Sequence, residues 1–246
     1  TSGAHFADYG MVVARSDPNA LKHKGLTYFF LDMRTPGVEA KPIKQISGSA
    51  NFNEVFFNDV RIPDSQRLGA EGDGWKVALT TLMNERLAVG DPPGLDFDQI
   101  FEATKEIEVE DGLAIKNSEV RQKMADWYVQ SRGLQYTKYR SMTALSKGQT
   151  PGPELSISKL VTASKMQEVS SYALDLMDMA GYVHHDKNPI MRNLFQNGYF
   201  FSAAMRIAGG TDEVLRNIIA ERVLGLPQDE RPDKKVPFNE LPSGKN

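Results

Sequence analysis

The sequence predicts an α+β chain, a partial antiparallel β domain followed by an up-and-down four-helix bundle, on three observations. Short runs rich in β-branched and aromatic residues, bounded by turn signals, fill the first quarter. From Trp75 onward the apolar residues recur at helical spacing. Between the two longest periodic segments stands the loop KGQTPGPE, which lets them pack as antiparallel neighbours.

The strand segments are Tyr9–Arg15, Leu26–Met33, Val38–Ile43 and Asn53–Pro63, separated by Asp17-Pro18 and Thr35-Pro36-Gly37. Four strands at this spacing are expected to form one small sheet. Helices are expected at Trp75–Val89, stopped by Asp91-Pro92-Pro93-Gly94, then at Ser118–Lys147, Glu154–Ala180, Arg192–Met205 and Asp212–Leu224. The acidic segment Phe97–Asp111 shows no clear period. Beyond Leu226 the chain is rich in proline and charge and is expected to be an extended or disordered tail. The resulting division is 1–70, the remainder of a β domain; 71–227, the bundle; and 228–246, the tail.

With 246 residues, 40% of them hydrophobic and 25% charged, the chain can bury a real core. A net charge of −3 with no dense basic block argues against nucleic acid and against an anionic membrane surface. No apolar run reaches membrane-spanning length. The absence of cysteine excludes disulfides, thiolate metal sites and cysteine nucleophiles, and a reducing, cytoplasmic compartment is the expectation. The chain opens on TSGAHFADYGMVVAR without an initiator methionine and enters a strand pattern almost at once, as a fragment or a processed chain would.

Two stretches invite chemistry. In IAGGTDEVLRNIIAERVLGLP the apolar residues Val214, Leu215, Ile218, Ile219, Val223 and Leu224 mark one buried helix face. Thr211 is the candidate N-cap, and Asp212 and Glu213 complement the positive helix end. Gly209 and Gly210 leave backbone N–H groups that a ligand can approach closely, although a tight turn into a core helix explains them as well. In LMNERLAVG, Glu85 shares a helix face with Ala78, Leu82 and Val89, so its carboxylate is either paired with an arginine or desolvated toward the raised pKa of a general base. The adjacent His184 and His185 point to different sides and offer no metal site, and the aromatic run Asn197–Phe201 reads as core.

Taken together these motifs resemble the acyl-CoA dehydrogenase family from Thr1 to about Pro227. GGTDEVLRNIIAERVLGLP is similar to the family's C-terminal signature. FNEVFFNDVRIP followed by GAEGDGW looks like its last β-strand and the entry to its bundle, and TSGAHFADYGMVVAR like its flavin-facing strand. The resemblance implies that the N-terminal helical domain and first strands usual in the family lie outside this stretch.

The resemblance implies FAD as cofactor and an acyl-CoA as substrate, oxidised to a trans-2-enoyl-CoA. In many members the catalytic glutamate stands just before the Gly-Thr pair, where this chain has Gly209. A minority, isovaleryl-CoA dehydrogenase among them, carry it on the first bundle helix in a Glu-Arg pair, matched here by Glu85-Arg86. Glu85 is then the base, the β-hydride goes to the flavin, and the Gly209 backbone N–H polarises the thioester carbonyl. Ser2 matches a residue that bonds the flavin ring and Thr211 one near its adenylate half, with Gly210 and Glu213 in the same loop. The family's Arg-x-x-Phe-Gly motif is absent, leaving Arg121 as a nearby substitute.

The pattern resembles bacterial, especially actinobacterial, members acting on bulky or unusual acyl-CoA esters, including those of fatty acid or steroid degradation. Implied partners are an electron-transfer flavoprotein and further subunits in a homodimer, homotetramer or heterotetramer. Two other readings stay open: a non-catalytic partner subunit of a heteromeric enzyme, and an oxidase or flavin monooxygenase on the same fold.

Overall fold

A computed structural model describes residues 1–88, 95–149, 152–153, 155–183 and 190–242, with backbone only at 83–88, 155, 190–192 and 232. The chain divides into two compact units, residues 1–90 with 229–246, and residues 91–228.

In the first unit, β1 (Tyr9–Arg15) pairs antiparallel with β2 (Leu26–Asp32) in a register running from Tyr9 opposite Asp32 to Arg15 opposite Leu26. β3 (Val38–Ile43) pairs with β4 (Phe52–Phe57) in a separate hairpin. The single four-stranded sheet expected from the spacing is thus two sheets, because the free edge of β2 is taken by the two-residue strand β5 (Arg67–Leu68). Pro42 lies within β3 opposite Asn53 and has no N–H to offer a further neighbour, which suits β3 to an edge. At the turn entering β3, Gly37 adopts φ +93° and a Cβ there would stand 2.1 Å from the Asn58 carbonyl.

Helix α1 (Gly74–Ala88) lies across β2. Gly74 permits the approach, since its Cβ position falls 2.7 Å from the backbone of Leu26 and Thr27, and Ala78 is buried one turn later. Within β2, Thr27, Tyr28 and Leu31 are buried.

The tail returns to this unit. Phe238 and Asn239 donate backbone N–H bonds to the carbonyls of Ala20 and Pro18 at 3.1 and 3.0 Å. The Arg15 guanidinium sits 3.9 Å from the centroid of the Phe238 ring, and Lys22 pairs with Asp233. His23 stacks on Trp75 at 4.3 Å. Burial, with the cations Lys22 and Arg15 nearby, lowers the His23 pKa against the opposing pull of Asp233.

The second unit is helical. The segment without clear period contains α2 (Phe97–Thr104) and the small hairpin of β6 (Glu108–Val109) and β7 (Gly112–Leu113). Asp96 caps α2 in a capping box with Gln99. α3 (Ser118–Ser146) starts from Asn117, whose side-chain oxygen accepts from the Glu119 and Val120 N–H groups at 2.9 and 3.2 Å. It is followed by α4 (Leu155–Leu176), α5 (Met179–Tyr182), α6 (Ile190–Met205) and α7 (Asp212–Ile218). The core gathers Ile100, Val120, Met124, Trp127, Val169 and Phe195.

α4 and α6 pack closely through small residues. A Cβ on Gly198 would stand 2.0 Å from Leu95 Cδ1 and 2.6 Å from the Ser170 hydroxyl, which is buried and held by its bond to the Met166 carbonyl at 2.6 Å. Gly198→Ala is therefore expected to destabilise the protein by about 1–3 kcal/mol despite alanine's better helix propensity. Urea unfolding measures this, and a stabilised variant would mean that α6 has room to move away from α4.

Candidate functional site

The residues singled out from the sequence fall in both units. Ser2 forms an isolated antiparallel bridge with Phe52 at the start of the first unit, and its side chain is exposed. Glu85 lies on α1, where only the backbone is described, so its carboxylate environment stands outside the described residues. Of the apolar stripe expected around it, Ala78 is buried, Leu82 is nearly half exposed, and Val89 is not described. His184 and His185 are likewise outside the described residues, and among the described ones no group of three or more His, Asp or Glu could hold a metal ion.

Gly209, Gly210 and Thr211 lie in the turn between α6 and α7, and Glu213 follows in the first turn of α7. Both glycines are left-handed, at φ +68° and +110°. Among the described residues no atom beyond the chain neighbours lies within 4 Å of the place a Gly209 Cβ would occupy. Thr211, at φ −64° and ψ 160°, caps α7, its hydroxyl accepting from the Val214 N–H at 3.3 Å. Glu213 is exposed.

Two expectations here need correction, the length of the last helix and the burial of the aromatic run. Asp212 stands in the first turn of α7, as expected; its residue is only 3% exposed, and one carboxylate oxygen takes the Arg206 Nε donor at 2.6 Å. The other oxygen makes no hydrogen bond among the described residues and faces the Lys159 ammonium at 3.9 Å. The continuous helix expected to Leu224 gives way after Ile218 to a π-helical turn at Ile219–Val223, and of its apolar face only Leu215 is fully buried, with Val214, Val223 and Leu224 exposed. In the aromatic run read as core, Tyr199 and Phe201 are about half exposed, while Phe195 and Ser202 carry the buried face of α6.

Sequence reasoning missed Lys159. From α4 it donates to the Gly210 carbonyl at 2.6 Å, and so joins α4 to the glycine turn. Arg206 closes the network with a bond to Gln167 Oε1 at 2.7 Å. No local signal marks Lys159, because its partners lie about fifty residues away and it stands in a helical pattern where lysine is ordinary.

This succession of a left-handed Gly-Gly-Thr turn and a short capped helix falls within residues 72–224, which match the family model described as acyl-CoA dehydrogenase, C-terminal domain, over more than half of the chain. The chain belongs to the acyl-CoA dehydrogenase family. It is 34% identical over 230 residues to acyl-CoA dehydrogenase FadE34 of Mycobacterium tuberculosis, covering 93% of this chain and 30% of that protein. It is 36% identical over 233 residues to acyl-CoA dehydrogenase IpdE1 of Mycolicibacterium smegmatis, covering 93% and 56%. The chain thus spans less than two thirds of the length of these acyl-CoA dehydrogenases.

Among solved structures, the fold is similar to the Tcur3481-Tcur3483 steroid ACAD, at a TM-score of 0.80 and 24% identity over 93% of this chain and 59% of that one. It is also similar to the ChsE4-ChsE5 complex of Mycobacterium tuberculosis, at a TM-score of 0.76 and 20% identity over 93% and 60%. The acyl-CoA dehydrogenase fold expected from the sequence is therefore the fold observed, over about 60% of the length of those structures. Among the described residues no helix is long and apolar enough to cross a membrane.

Proposed function

We propose that the protein carrying this chain dehydrogenates an acyl-CoA thioester to a trans-2-enoyl-CoA. The observation that carries this reading is the left-handed turn at Gly209 and Gly210, in a chain of this family whose α1 bears Glu85. Glu85 takes the α-proton. As negative charge develops on the thioester oxygen, the Gly209 backbone N–H donates to it, in the manner of an oxyanion hole. A side chain at 209 would crowd that approach.

Two features support a flavin dinucleotide as the cofactor: the glycine turn carries no Cβ at two successive positions, and Ser2 presents an exposed hydroxyl beside a strand bridge. Ser2, Gly210, Thr211 and Glu213 would hold FAD, Thr211 through its backbone, since its hydroxyl already caps α7. Bound FAD supplies the two-electron acceptor for the β-hydride. An electron-transfer flavoprotein is the proposed onward acceptor. The names of the structural neighbours support a bulky, steroid-like acyl group as substrate class, and assembly with further subunits.

The test is a visible absorption spectrum of the protein with FAD, before and after anaerobic addition of an acyl-CoA. Bleaching of the flavin band supports the dehydrogenase, and fast recolouring on admitting air turns the reading toward an oxidase. Failure to bind flavin alone, cured by an unlike family member, favours the second reading, a partner subunit of a heteromeric enzyme, which the two-protein names of the structural neighbours suggest.

A further inference from the structure

We propose that His5 is a binding residue on the Ser2 turn, with Asn53 as its positioning residue. Held by Asn53, the imidazole presents Nε2 to accept a hydrogen bond from an N–H or O–H group of bound flavin or acyl-CoA. The inference rests on the function proposed above. Residues 1–3 lie antiparallel to the start of β4: Gly3 donates to the Asn51 carbonyl at 2.8 Å, Ser2 bridges Phe52, and Thr1 and Asn53 exchange backbone bonds, both at 2.8 Å. Gly3, at φ +68°, then turns the chain, and the Phe6 and Ala7 N–H groups close the turn on its carbonyl, each at 3.1 Å.

Asn53 is 3% exposed, so its amide needs partners within the protein. Its Nδ2 donates to the carbonyls of Thr1 and Asn51 at 3.1 and 3.2 Å, and its Oδ1 stands 2.8 Å from His5 Nδ1. The two carbonyls decide which end of the amide is which, because a flipped amide would set three oxygens face to face. His5 Nδ1 therefore carries the proton and donates, and in the neutral ring Nε2 keeps its lone pair. Nε2 itself has no hydrogen-bond partner among the described residues.

His5 is exposed at the wall of an open hollow of about 390 Å³, shared with Phe6, Asp8, Met33 and Arg34. Asp8 and Arg34 pair with each other, so the hollow suits a neutral donor better than an ion. The Phe6 ring meets the imidazole edge-on at 4.8 Å and stays 74% exposed. One short turn thus offers the Ser2 hydroxyl, a lone pair and a bare aromatic ring, a set that suits a ligand part aromatic and part N–H or O–H donor. Flavin and acyl-CoA both have that character. A histidine that met only water would need no buried amide to choose its tautomer.

The test is nuclear magnetic resonance of the complete protein that carries the chain, labelled at its histidine ring nitrogens, in mildly alkaline buffer. Spectra are compared without flavin, with FAD, and with FAD plus a thioether analogue of an acyl-CoA, and His5→Phe identifies the His5 signals. Without flavin, His5 is expected to show a protonated Nδ1 and a bare Nε2, the less common tautomer of histidine in water, and Asn53→Ala is expected to lose that ordering. On binding, the Nε2 signal is expected to move toward hydrogen-bonded values, with FAD alone if the donor is on the flavin and only with the analogue if it is on the CoA arm. His5→Phe, which keeps an exposed ring, is expected to weaken binding of that same ligand about 3–10-fold. An Nε2–H tautomer in the flavin-free protein, or an Nε2 signal that stays in place while absorbance shows flavin bound and the analogue is saturating, overturns the inference alone. If neither FAD nor the analogue binds, the proposed function fails and takes this role of His5 with it, so the two failures are distinguishable.

Discussion

Glu85→Gln is expected to lower turnover by about 10²–10⁴-fold while leaving the flavin spectrum and acyl-CoA binding intact. Glutamine matches glutamate in size and hydrogen-bonding reach and has no basic oxygen, so the substitution removes proton abstraction and little else. The α-proton of a thioester is weakly acidic and leaves only if the base and the carbonyl donor act together; losing the base should therefore fall on kcat more than on KM. The sign of the pH dependence follows. A base must be deprotonated to act, so wild-type turnover falls as pH drops through the pKa of its base, and the residual rate of Glu85→Gln lacks that acid limb. Steady-state kinetics from acid to neutral pH measures both. A variant with unchanged turnover would move the base elsewhere, and unchanged turnover in a co-purified pair of unlike subunits would assign this chain to the non-catalytic member.

The strands and helices were legible where a period and its punctuation coincide. Tyr9–Arg15 and Val38–Ile43 have the same limits in sequence and structure, because β-branched and aromatic residues end there on turn residues. Pairing was not legible: whether β2 meets β3 or β5 depends on which edges can still donate, and the spacing of strands along the chain does not contain that. The exposed side chains of Val214, Val223 and Leu224 make the same point for helices, since periodicity gives a face without naming what covers it. In the site, the left-handed turn could be read from Gly-Gly-Thr alone, whereas the choice of Glu85 as base came through the family resemblance. The place of Asp212 in the first helical turn was legible but its partner was not, because that signal is the same whether the carboxylate meets water or an arginine folded back from the preceding helix.

The second large effect lies in the core of the helical unit, at a buried lysine. Lys165 on α4 is 2% exposed and donates to Asp96 at 2.6 Å and to the Ser131 hydroxyl on α3 at 2.8 Å. Ser131 also bonds Asp96, and Asp96 in turn accepts from the Phe97 N–H at 2.6 Å as the cap of α2, so a single carboxylate ties three helices together. Its side chain is 49% exposed, and this asymmetry decides which substitution is severe. Asp96→Asn keeps a competent helix cap and strands a buried ammonium without its counter-ion, an expected loss of about 2–4 kcal/mol after allowing for screening of the exposed partner. Lys165→Met leaves a carboxylate that water and two other donors still satisfy, in a site a methionine can fill, with an expected change within about 1 kcal/mol. Adding Lys165→Met to Asp96→Asn should therefore recover most of the loss, which urea unfolding of the two single variants and the double variant at neutral pH will show. Burial pushes the Asp96 carboxyl up, but the bonds from Lys165, Ser131 and the Phe97 N–H, with the lysine charge, bring it net below the usual carboxylate value. A carboxyl lowered on folding stabilises above its unfolded pKa of about 4 and loses that contribution as pH falls through the lower folded value. Wild-type stability should accordingly fall more steeply than that of Asp96→Asn between about pH 5 and pH 2. Equal acid slopes, or an Asp96→Asn no worse than Lys165→Met, would show that the ammonium finds enough support without this carboxylate.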